Sequence, residues 1–171
     1  MPLAETLVTD SLFGPLTVRL ETGGGVVEVE GQTIPRVVLR RATGTKATNE
    51  EVPVGTRKAG LLTLTVDGEG AALAPGRGRL IRRSYRVDVR HRGHLWRLVP
   101  HSMTASRLLR NGQRLGSFAS RGDGRVTADW RPTAKPDATD AALGYALAAA
   151  FGTGAEPLWA SAVDGIGDLI P

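Results

Sequence analysis

The stretch DATDAALGYALAAAFGT, residues 137–153, decides the architecture. It carries no charged residue after Asp140, in a chain that elsewhere alternates polar and apolar residues. Asp137 can cap a helix, Asp140 sits in the first turn where negative charge suits the macrodipole, and Gly152 supplies a C-terminal stop. Leu143, Leu147 and Phe151 recur at helical spacing, while Tyr145, Ala146, Ala148, Ala149 and Ala150 cover the other sides. A helix that is apolar all round is buried all round. At a rise of 1.5 Å per residue it spans about 22 Å, roughly the length of a channel through a small barrel. Its alanines and Gly144 would let strands approach closely. The expected fold is mainly β: an antiparallel barrel of meander hairpins closed around a buried C-terminal helix at about 137–152. The alternative is one helix buried at an oligomer interface.

The strands come from period-2 alternation, which marks half-buried strands. Leu16, Val18 and Leu20 form one inward set, followed by Val27 and Val29, Val37 and Leu39, then Leu62, Leu64 and Val66. Turn signals separate them at Gly23-Gly24-Gly25, Gly31-Gln32, Thr43-Gly44, Val54-Gly55 and Asp67-Gly68. Residues 46–59 have no sustained pattern and read as a long loop, and residues 74–79, APGRGR, as a second one.

Parity is informative in RLIRRSYRVDVRHRGHLWRLVP, residues 79–100. Ile81, Arg83, Tyr85, Val87, Val89 and His91 fall on one face, Arg83 near its start, and Arg82, Ser84, Arg86, Asp88 and Arg90 on the other. A two-residue hairpin at Arg92-Gly93 pairs His91 with His94, continues the inward set through Trp96 and Leu98, and adds Arg97 to the outer face. A slip of one residue would bury guanidinium groups, so the register is specified. Asn111-Gly112 is a strong hairpin signal that sets Leu108 opposite Leu115. Val126, Ala128 and Trp130 complete a further strand, ended by Pro132 and Pro136.

A chain of 171 residues is long enough for one domain with a substantial core. Without cysteine it has neither disulfides nor thiolate chemistry. Its net charge of +5 is unevenly spread: residues 77–125 hold thirteen arginines and two acids, a net +11, whereas residues 1–76 sum to −2 and 126–171 to −4. Only Lys46, Lys58 and Lys135 are lysines. Guanidinium forks grip phosphate or carboxylate bidentately, which favours an anionic partner. A GC-rich codon bias would also produce arginine in place of lysine. No uncharged run reaches the ~20 residues of a spanning helix, and MPLAETLVTD carries acids where a signal peptide would be basic. The expectation is a cytoplasmic protein, possible also as a peripheral one at a membrane.

Catalytic patterns are sparse. His91 and His94 come together without an evident third ligand, and His101 has the opposite parity, so neither metal nor cofactor is expected. Ser102, Thr104 and Ser106 lack a nucleophile elbow or an acidic orienter. The glycine-rich stretches ETGGGVV and APGRGRL do not open helices, so they are not dinucleotide or phosphate loops. Nucleic acid is disfavoured because Tyr85 and Trp96 fall on the core face rather than beside the arginines.

The order of RLIRRSYRVDVR, HLWRLVP, SRLLRNGQRLGSFAS and RVTADW followed by DATDAALGYALAAAFGT resembles the tubby C-terminal-like superfamily, which includes LURP-one-related and scramblase-like proteins. The resemblance covers residues 80–153 and is one of pattern and order. It implies a barrel filled by a C-terminal helix, and a phospholipid-linked binding module. The cysteine-rich and calcium-associated features of scramblases are absent. The expected function is non-enzymatic binding of an anionic partner, preferably phospholipid headgroups, through Arg82, Arg86, Arg90 and Arg97. The alternative is an assembly subunit, homo-oligomeric or bound to another protein, that uses the apolar tail at 155–171. There Leu158, Trp159, Ile166, Leu169 and Ile170 are the candidate contacts.

Overall fold

The computed structural model describes residues 3–48, 52–78, 82–102 and 104–152. Eleven strands follow one another: β1 (Leu3–Asp10), β2 (Gly14–Glu21), β3 (Val26–Gly31), β4 (Ile34–Arg41), β5 (Leu62–Val66), β6 (Glu69–Pro75), β7 (Val87–His91), β8 (His94–Pro100), β9 (Ser106–Arg110), β10 (Gln113–Ser120) and β11 (Val126–Trp130). Each pairs antiparallel with the next, so the sheet order is the chain order, and it curls into a nearly closed barrel around α1 (Ala138–Phe151). The shortest connections explain the register. Asp67-Gly68, Arg92-Gly93 and Asn111-Gly112 all have positive φ at both positions, between 48° and 82°. That is the type I′ geometry whose twist matches the strands it joins. Arg92-Gly93 aligns His91 with His94 and Asp88 with Arg97.

Inward residues of β2–β5, β7 and β8 form the wall of the core, and the expected sets from Leu16 to Val66 are all buried. From Asp140 to Phe151 every residue of α1 is buried, and the helix contacts strands from β2 to β11. Its start is a capping box: the Asp137 carboxylate accepts from Asp140 N–H at 2.9 Å, and Asp140 Oδ2 accepts from Asp137 N–H at 2.8 Å. Gly144 is needed for fit. A Cβ there would lie 2.3 Å from the ring of Phe118, so the helix reaches β10 only without one.

Two buried carboxylates tie the helix to the wall. Asp140 Oδ1 accepts from Trp96 Nε1 at 2.7 Å, and its Oδ2 is ion-paired with Arg110. Asp10, at the end of β1, accepts from Trp130 Nε1 at 2.9 Å, Tyr145 Oη at 2.5 Å, and the N–H groups of Leu12 and Phe13. Four donors replace the water this carboxylate loses on burial. Burial, followed by the Asp10 contact, pushes the Tyr145 hydroxyl far above its ordinary range.

Several expectations change. Residues 82–85 do not continue a strand: Arg82–Tyr85 is a 3-10 turn, and β7 begins at Val87. Gly76 and Gly78 cause this by donating to the carbonyls of Arg86 and Ser84, which folds the segment back. Arg82 therefore does not share a strand face with Arg86, Arg90 and Arg97. Leu108 faces Gly116 rather than Leu115, because β10 bulges between Arg114 and Gly116. The bulge buries Leu115 and puts a residue without a side chain where Asp129 O approaches, 2.5 Å from any Cβ at Gly116. The loop at 46–59 is a plug: Val52, Val54 and Thr56 are buried, and Val54 N–H caps Ala150 O at 2.9 Å. Buried Arg41 anchors it by donating to Val54 O, Gly23 O and Thr45 O. The tail candidates Leu158, Trp159, Ile166, Leu169 and Ile170 lie outside the described residues.

Candidate functional site

The arginine-rich segment builds the outer face of β7–β11, and cross-strand position decides what each arginine does. On β7 and β8, Asp88 and Arg97 are direct partners. Arg97 forks onto Asp88 with Nε at 2.7 Å and a terminal nitrogen at 2.9 Å, and this hydrogen bonding raises its pKa further. Arg86 Nε stands 3.8 Å from the same carboxylate. Arg90 is exposed and, among the described residues, has no acid partner. Of the four expected anion-binding arginines, Arg82 lies in the 3-10 turn that precedes β7, and two share Asp88. Arg92 is held by Glu69 at 2.7 Å and Arg125 by Asp123.

A cluster of unneutralised charge sits one hairpin further along. Arg107 on β9 and Arg114 on β10 both point outward, and Arg131 follows β11. None of the three makes an ion pair among the described residues. The positive field of Arg107 is the largest reason that the Arg114 guanidinium is depressed below its ordinary value, with desolvation and Arg131 adding to it. Arg107 Nε is shielded from solvent and has no hydrogen-bond partner. Asp129 is separated from Arg107 by Ser117 on the intervening strand, and forms no pair with it.

The surroundings add shape. A pocket of about 400 Å³ is lined by Arg110, Gln113, Arg114, Arg131, Thr133 and Lys135. Arg110 belongs to the fold, being paired with Asp140 and with Asp137 at 3.1 Å, so Arg114, Arg131 and Lys135 supply its uncommitted charge. Half-buried Leu95, Val99 and Leu109 stand between the arginines on the same outer surface. Trp96 and Tyr85 are buried, as is Trp130, so these rings give this face no platform for stacking bases. His94 is exposed and bonded to Asn111 at 2.8 Å, whereas His91 is buried.

Compared with known proteins, the chain matches no family model, no curated protein and no solved structure. Among the described residues, no helix is long and apolar enough to cross a membrane.

Arg107 and Arg114 were within reach of the sequence. Counting outward from Asn111-Gly112 pairs Leu109 with Arg114 and places Arg107 on the same side. Arg131 and Lys135 carry no such signal, because they follow the last strand; Arg131 comes beside β10 by continuing its ladder, its N–H donating to Leu115 O at 2.9 Å.

Proposed function

We propose that the protein is a non-enzymatic binding module whose β8–β10 outer face holds an anionic surface, the ligand being phospholipid headgroups. The observation that carries this reading is the crowding of Arg107, Arg114 and Arg131, none of them ion-paired among the described residues. Such crowding is unfavourable in the free protein and is relieved by a bound anion. A lipid surface suits the face better than a small soluble anion does, because Leu95, Val99 and Leu109 interleave apolar area with the cations. Each arginine near an anionic membrane strengthens binding several-fold, so three together supply on the order of a hundredfold. A helix-filled barrel is also what the resemblance to tubby-type domains implied, although a barrel by itself names no ligand.

The test is co-sedimentation with vesicles of phosphatidylcholine alone or with a quarter phosphatidylserine. The protein is expected to pellet with the anionic vesicles only, and less so as salt rises. An Arg107/Arg114/Arg131→Gln variant is expected to stay in solution, while Arg86/Arg90/Arg97→Gln still pellets. If the first variant pellets like the unmodified protein, the site is elsewhere. If the unmodified protein does not pellet, the lipid reading fails.

Protein assembly is a second reading, favoured by Leu3, Leu7 and Leu12, which are 60%, 73% and 57% exposed. Sedimentation velocity across a concentration series checks it, self-association being the expected outcome.

A further inference from the structure

Two chain reversals build the pocket beside the arginine face. Asn111-Gly112 sets Gln113 directly opposite Arg110, so the end of β9 and the start of β10 form one wall. The other wall follows β11. Arg131 continues the ladder of β10, and Ala134 N–H then donates to Arg131 O at 3.0 Å. Pro132 takes the second position of that turn, which its fixed φ suits, and the reversal brings Thr133 and Lys135 to the pocket. Its volume of about 400 Å³ is that of a small-molecule site. The lining is cationic and not self-neutralised. Arg110 is held in place through Nη1 alone, which makes both of its contacts with Asp137 and Asp140 and leaves Nε and Nη2 without a partner among the described residues. Arg114, Arg131 and Lys135 make no ion pair among those residues, and no acid lines the pocket. Gln113 and Thr133 add neutral donors.

We propose that this pocket binds a phosphomonoester, either a free phosphate ester or a lipid headgroup that ends in one. The inference rests on the anion-binding reading of the face and adds the chemical class that the pocket selects. A phosphodiester or a carboxylate brings a single negative charge to the uncommitted cations of Arg114, Arg131 and Lys135. A phosphomonoester brings about −1.5 to −2 at neutral pH, a closer match. It also presents three acceptor oxygens, which guanidinium forks, Gln113 and Thr133 can meet together. Two residues separate the pocket from the lipid face as a whole. Lys135 lines the pocket and lies outside the Arg107, Arg114 and Arg131 cluster, whereas Arg107 belongs to that cluster and does not line the pocket.

The experiment titrates the isotopically labelled full chain with methyl phosphate and with dimethyl phosphate at constant ionic strength, read by amide chemical shifts. Methyl phosphate is expected to shift amides within residues 110–115 and 131–135, and to bind at least about fivefold more tightly than the diester, the scale of one further exposed charge contact. Lys135→Gln is expected to narrow that preference and Arg107→Gln to preserve it. Vesicles containing phosphatidic acid or phosphatidylserine, matched in surface potential, separate the two sources. Tighter binding to phosphatidic acid that Lys135→Gln removes assigns a lipid headgroup, and equal binding to the two assigns a free phosphate ester. The proposal is overturned by equal binding of the two methyl esters, by shifts confined to other residues, or by no saturable shift up to about 20 mM. Pelleting with phosphatidylserine vesicles would still support the lipid reading in those cases. If methyl phosphate binds as expected and no vesicle pellets, the lipid reading alone fails.

Discussion

The outer faces of the two halves of the barrel use the same residue in opposite ways. On β1–β4, Arg19 contacts Glu5, Glu28 and Glu30 at 2.9 to 3.0 Å, and Arg36 contacts Glu28 at 3.0 Å. Two arginines are met by three glutamates, and the hydrogen bond that Arg19 donates to Glu5 leads the causes that raise the Arg19 pKa. On β9–β11, Arg114 is instead depressed by Arg107 and Arg131. The difference teaches that arginine number is a poor guide to an anion site. What matters is whether an acid occupies the neighbouring cross-strand position. Where one does, the guanidinium is part of the fold, and where none does, its charge is left for a partner.

The most severe way to break this contrast is to remove the acid from a buried pair. Asp140→Ala would leave Arg110 with Asp137 alone, leave the buried Trp96 N–H without its acceptor and remove half of the capping box, at a cost of about 2–4 kcal/mol, seen as a lower urea midpoint. Removing charge from the unpaired face acts on binding instead. Arg107/Arg114/Arg131→Gln should weaken anionic-vesicle binding on the order of a hundredfold, with an unchanged or higher urea midpoint. Arg114→Glu sharpens the contrast by placing an acid directly between Arg107 and Arg131. It should cost roughly tenfold or more in vesicle binding while raising the midpoint, since repulsion becomes attraction. Arg19→Gln, on the paired face, should leave vesicle binding as it was.

The smallest effect is one of pH. Hydrogen bonding from Arg36 is the main reason that Glu28 sits below its ordinary carboxylate value of 4.5. Its contribution to stability is complete above that value and is lost as pH falls through the lower folded value. The difference in urea midpoint between the unmodified protein and Glu28→Gln should therefore shrink on acidification below about pH 4.5.

Local rules were readable wherever they acted on adjacent residues. Asp137, Asp140 and Gly152 bracket the helix as read, and Arg92-Gly93 sets the pairing of β7 with β8. β1 escaped because its pattern is inverted: Leu3 and Leu7 point outward, while Ala4, Thr6 and Val8 line the inner side and Asp10 is buried. Hydrophobic parity fails on this edge strand, whose outward leucines are exposed while a carboxylate is buried. Strand β6, EGAALAP, escaped for a similar reason, since no residue in it is fully buried.

The sequence by itself therefore determined the antiparallel meander, the inward sets of β2–β5 and the buried helix, because period, turn chemistry and caps are short-range properties of the chain. Only the tertiary structure decided which arginines are neutralised, where β10 bulges and how Asp10 meets Trp130, a partner 120 residues away. Those outcomes depend on strand curvature and on fields summed over neighbours distant in sequence. In this protein such sums distinguish the arginines that hold the barrel together from those left to bind.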